Sequence, residues 1–73
     1  MYTSGFEFFS DMVSEYGKKK ALSLADEYLT MQEDNDRKHG RFKNDPEEFL
    51  FCRELWQAMT ATKASMQTES LNS

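Results

Sequence analysis

Few side chains in this chain of 73 residues could do chemistry, and their spacing limits what that chemistry could be. There is one histidine and one cysteine. His39 lies within Arg37-Lys38-His39-Gly40-Arg41-Phe42-Lys43. As a general base it would need a positioned nucleophile or carboxylate, and the sequence shows no sign of one. It reads as a solvated loop histidine. Cys52 falls on an apolar helical stripe with no His or Lys one turn away to hold it as a thiolate, so it reads as a small buried hydrophobe. Together these two supply half of the roughly four ligands a structural zinc site needs. A calcium loop starting at Asp34 would place Asp36 third, Lys38 fifth, His39 sixth and Asp45 twelfth. The EF-hand pattern wants an oxygen ligand, a glycine and a glutamate at the last three of those places. Glu47 and Glu48 resemble a carboxylate pair, but their place directly after Pro46 accounts for them as helix-start charges. The expectation is a protein with no catalytic residue, no metal and no cofactor.

Two groups suit binding better than catalysis. Arg37, Lys38, Arg41 and Lys43 beside Phe42 have the character of a nucleic-acid contact, with four cations for phosphates and a ring for stacking. Asp34, Asp36 and Asp45 flank that cluster and are expected to pair with it. The whole chain carries 9 Lys and Arg against 13 Asp and Glu, a net charge of −4, which opposes general binding to nucleic acid or anionic membrane. The second group is Phe49, Phe51, Trp56 and Met59, apolar residues with a tryptophan of the kind that anchors protein interfaces. These four form the expected partner-binding site.

Helices must position both groups. β-branched residues are scarce, and no stretch alternates apolar with polar as a strand requires. The first helix is expected over about 5–16, opened by the capping-box pattern Ser4-Gly5-Phe6-Glu7 and closed by Gly17. Its apolar positions run Phe6, Phe9, Val13, Tyr16, with Met12 beside them. A second helix is expected over about 18–34, with Ala21, Leu22, Leu24, Ala25, Tyr28 and Leu29 inward and Met31 at the margin. Gly17 allows either a turn or a bend between these two. Polar residues from Asp34 to Lys43, with Gly40 among them, read as a loop. The third helix has the clearest start, with Asp45 as N-cap, Pro46 at the first position and two glutamates after it. It is expected over about 46–64, with a stripe through Phe49, Cys52, Trp56 and Met59. Leu55 and Phe51 widen that stripe, while Leu50 and Phe8 fall off the apolar stripes and are expected at the surface.

The expected fold is therefore all-α: a small three-helix bundle, or a helical hairpin plus a short helix, in one domain over 1–66. A polar, disordered tail is expected over 67–73. No apolar run of about 18 residues spans a membrane, and Glu7 and Asp11 interrupt the N-terminal aromatic cluster where a secretory signal would be apolar. The location expected is cytoplasmic. Ten aromatic residues and a long third helix exceed what three short helices can cover, which points to a homodimer. The function expected is binding and modulating another protein through a helical surface; the alternative is a small nucleic-acid-associated regulator using 37–43. In general character (very short, acidic, motif-free) the chain is similar to accessory proteins of bacteriophages and other mobile elements, a likeness that attaches to no particular residue.

Overall fold

Glycine and proline punctuate the chain into four helices. The computed structural model describes residues 4–72, with side chains through residue 68. Helix α1 is Gly5–Tyr16, α2 is Lys18–His39, α3 is Arg41–Asn44 and α4 is Pro46–Asn72, with no strand among the described residues. The fold is a small all-α bundle.

Each boundary has a local cause. Ser4 Oγ accepts from the Glu7 amide at 3.2 Å, which satisfies one of the free donors at the start of α1. Gly17, at φ 88°, is the single residue between α1 and α2, so the junction is a turn. Its N–H reaches back to the Val13 carbonyl, and its own carbonyl accepts from Ala21. Helix α2 runs past the expected end near 34 and stops at His39. The polar residues 34–39 therefore continue the helix, where a loop was expected. Asp34 pairs with Lys38 at 3.1 Å and with Arg37 at 3.9 Å, both at helix-neighbour spacing. Arg37 and Lys38 also place positive charge at the negative end of the dipole. The actual stop is Gly40 in the left-handed conformation, φ 66°, whose N–H donates to the Asp36 carbonyl. The following turn, α3, is fastened back to α2 because Asp36 Oδ1 accepts from the Phe42 amide at 3.0 Å.

Asp45 caps α4 as its sequence position implies, with Oδ1 accepting from the Glu48 amide at 3.2 Å. The helix then continues beyond the end expected near Ala64, through Asn72. Neither glycine nor proline occurs after Pro46 to stop it. Backbone over 67–72 is helical; the side chains of 69–73, most of the tail expected to be disordered, lie outside the described residues.

The core is Phe9, Met12, Ala21, Ala25, Leu29, Cys52, Leu55 and Met59. On α2 the expected face is the buried one, and Ala21 and Ala25 are fully covered. On α1 and α4 the buried face is turned from the expected one. Phe6 and Tyr16 are exposed while Gly5, Phe9 and Met12 face inward. On α4, Cys52, Leu55 and Met59 are inside and Phe49 and Trp56 outside. At 3.6 residues per turn, each displacement is about 50° around the helix axis.

Gly5 explains the rotation. A Cβ built there would lie 2.2 Å from the Phe51 carbonyl oxygen and 2.5 Å from the Leu55 nitrogen, so the backbones of α1 and α4 meet at this point. Phe8, expected at the surface, is drawn in with them and packs against Phe51 and Tyr28, with ring centroids 5.4 and 5.6 Å away. Leu50 is exposed as expected. One polar side chain, Gln32, is buried with its Oε1 unpartnered among the described residues.

Two substitutions test this account. Helix propensity alone favours Ala over Gly by about 1 kcal/mol, yet Gly5→Ala is expected to destabilise by about 3 kcal/mol, because backbone atoms cannot move aside as a side chain can. A urea midpoint that rises would show that the backbones do not approach this closely. Asp45→Ala is expected to cost about 0.5–2 kcal/mol through the lost cap, and an unchanged midpoint would place the start of α4 elsewhere.

Candidate binding groove

The short link through α3 lays the C-terminal half of α2 beside the N-terminal half of α4, and two different surfaces result. One is a part-buried polar contact. Glu48, in the first turn of α4, accepts hydrogen bonds through Oε1 from the Tyr28 hydroxyl and, at 3.6 Å, from Cys52 Sγ. Phe8, Tyr28 and Phe51 pack beside it as three mutually tilted rings. Burial, then the hydrogen bond and charge of Glu48, push the Tyr28 hydroxyl pKa well above its ordinary value. The Cys52 thiol is pushed up to about 12 by burial first and by the Glu48 charge and hydrogen bond after it. Cys52 is therefore a protonated, hydrogen-bonded core residue with little nucleophilic character at neutral pH. Among the described residues no three His, Cys, Asp or Glu side chains gather in a way that could hold a metal.

The other surface is an open apolar groove of about 190 Å³. Glu33 of α2 forms one lip and Phe49, Arg53 and Trp56 of α4 the other, with Leu29, Cys52 and Phe42 also lining it. Spacing within the helices accounts for the arrangement. Leu29 and Glu33 are one turn apart, as are Phe49 and Arg53, and Trp56 lies on the next turn of the same face. Phe42 reaches the groove from α3 and meets Phe49 edge-on, centroids 5.5 Å apart. Trp56 is 58% exposed and Phe49 48%.

The four residues expected to bind a partner are thus divided. Trp56 and Phe49 line the groove, Met59 is buried in the core at 3% exposure, and Phe51 belongs to the three-ring cluster on the other side of α4. Met59 and Phe51 do not line the groove, since the turned face of α4 carries them toward the packed side of the helix. Leu29, Phe42, Glu33 and Arg53 were missed, because a groove between helices joins residues that are distant in sequence.

The basic cluster is largely paired with acids. Arg37 and Lys38 stand on the last turn of α2 and pair with Asp34, while Arg41 in α3 pairs with Asp45 at 3.6 Å. Lys43 is exposed. Phe42, expected as a stacking ring, turns toward Phe49. His39 is exposed, and its carbonyl accepts from Asn44 Nδ2.

The raised pKa of the Cys52 thiol has a definite pH consequence. Folding favours the neutral thiol, so its contribution is complete below the ordinary value of 9.0 and is lost as pH rises toward about 12. Urea melts across that interval are expected to show stability falling with pH. The fall should be shallower in Cys52→Ser, which keeps a donor for Glu48 but has no group titrating there. Equal slopes in the two proteins would contradict the buried-thiol account.

Compared with family models, with curated proteins and with solved structures, the chain matches none.

Proposed function

We propose that this is a small non-enzymatic binding protein that takes an apolar side chain of a partner protein into the groove between α2, α3 and α4. The observation that supports this reading is the pair Phe49 and Trp56, half-exposed on the lip of an apolar groove beside an otherwise covered core. Large apolar side chains grouped at the surface mark association sites, and tryptophan is prominent among the residues that anchor them. A volume of about 190 Å³ suits one large side chain; sites for drug-sized ligands run to about 300–1,000 Å³. Glu33 and Arg53 give the groove a charged rim around an apolar floor, the usual division of labour at a protein interface. The nucleic-acid reading is the weaker one, because three of its four cations are already engaged by aspartates. Binding of this kind suits an accessory protein that modulates a larger partner, as bacteriophages and mobile elements encode. No helix among the described residues is long and apolar enough to cross a membrane.

Capture from a native extract of the producing cells tests the reading through three variants. Trp56→Ala and Phe49→Ala are expected to lose the protein retained by the wild type. Leu50→Ala, equally exposed but outside the groove, is expected to keep it. Retention by the first two and loss by the third would move the binding surface away from the groove.

A further inference from the structure

We propose that the groove is occupied by the same face of a second copy of this chain, in a two-fold dimer that pairs Arg53 of each copy with Glu33 of the other. The inference rests on the groove being a protein-binding site and names its occupant. A two-fold interface needs a patch complementary to itself, in which residue i meets residue j and j meets i. This groove meets that condition in charge: its α2 lip carries an acid, Glu33, and its α4 lip a base, Arg53. Both are exposed, and neither makes an ion pair within the chain among the described residues. Nearby, by contrast, Arg37, Lys38 and Arg41 are all paired. Turning a second copy about a two-fold axis that runs along the groove sets each α4 lip against the opposing α2 lip, which brings the two unpaired charges together twice.

Shape agrees with charge. Trp56 projects from the α4 lip, and the depression beside it has room for one large side chain. Each copy then offers a knob and a hole. Burying Trp56 and Phe49 on both copies covers the largest exposed apolar rings bordering the groove, and that burial supplies the affinity. The rim pairs, at the edge of water, chiefly set register and exclude other partners.

Sedimentation equilibrium from micromolar to millimolar concentration tests the proposal with the wild type, Glu33→Arg, Arg53→Glu, their equimolar mixture, the double variant and Trp56→Ala. The wild type is expected to move from 8.6 kDa toward twice that mass. Each single reversal replaces two attractive contacts with two repulsive ones and should weaken dimerisation by roughly tenfold. Circular dichroism should stay unchanged, because both sites are exposed. The mixture and the double variant should both regain association, since either restores opposite charges at both contacts. A wild type that stays at 8.6 kDa throughout overturns the second-copy occupant. If that monomer still captures a partner through Trp56, the binding-groove reading stands without it. A dimer indifferent to both charge reversals and to Trp56→Ala overturns the proposal by placing the interface elsewhere.

Discussion

Where α1 begins, its backbone lies against the backbone of α4, with the Phe51 carbonyl and the Leu55 nitrogen in the space a Cβ at residue 5 would need. Glycine is the residue that permits this approach, and the arrangement of the bundle follows from it. Because the contact is made at Gly5, the face of α1 turned inward is the one carrying Phe9 and Met12. Because it is made near Phe51 and Leu55, the inward face of α4 is Cys52, Leu55 and Met59, with Leu55 fully buried. The same proximity lets Glu54 Oε1 accept from the Gly5 amide at 3.4 Å, so one helix helps to cap the start of another.

The second fixed point is Glu48. Asp45 caps α4 and sets where its first turn starts, which delivers the Glu48 carboxylate to Tyr28 of α2 and to Cys52 one turn further along α4. A part-buried carboxylate with two donors is compensated; with either donor missing it would be costly to cover. The contact therefore selects one register of α2 against α4, where apolar side chains alone would tolerate several. The Phe8, Tyr28 and Phe51 rings extend the same junction to α1.

With α1 holding one side of α4, its opposite flank is left to α2 and the short α3, which cover it incompletely. Phe49 and Trp56 are apolar residues that the inward rotation leaves outside, and Phe42 lines the resulting groove beside Phe49. The groove and the core are thus two results of a single constraint. A rotation of α4 that buried Trp56 would remove Leu55 from the place where α1 meets it.

Much of this was legible in the residues by themselves. Pro46 after Asp45 marks a helix start, Ser4 with Glu7 marks another, and Gly17 is a stop, each acting on backbone groups a few residues away. The inward face of α2 was legible as well, because its alanines and leucines fall on one side and its acids on the other. The helical run 34–39 was misread because charged residues resemble a loop in composition, whereas their pairing at helical spacing and the helix dipole sustain a helix up to Gly40. What local pattern could not supply was the rotation of α1 and α4. A hydrophobic stripe records side chains, and glycine contributes none, so the residue that brings two backbones together leaves no mark in the periodicity. The division of Phe49, Phe51, Trp56 and Met59 between groove, ring cluster and core follows from that rotation. So does the meeting of Glu33 with Arg53 at one rim, since a groove between helices exists only once the helices have packed.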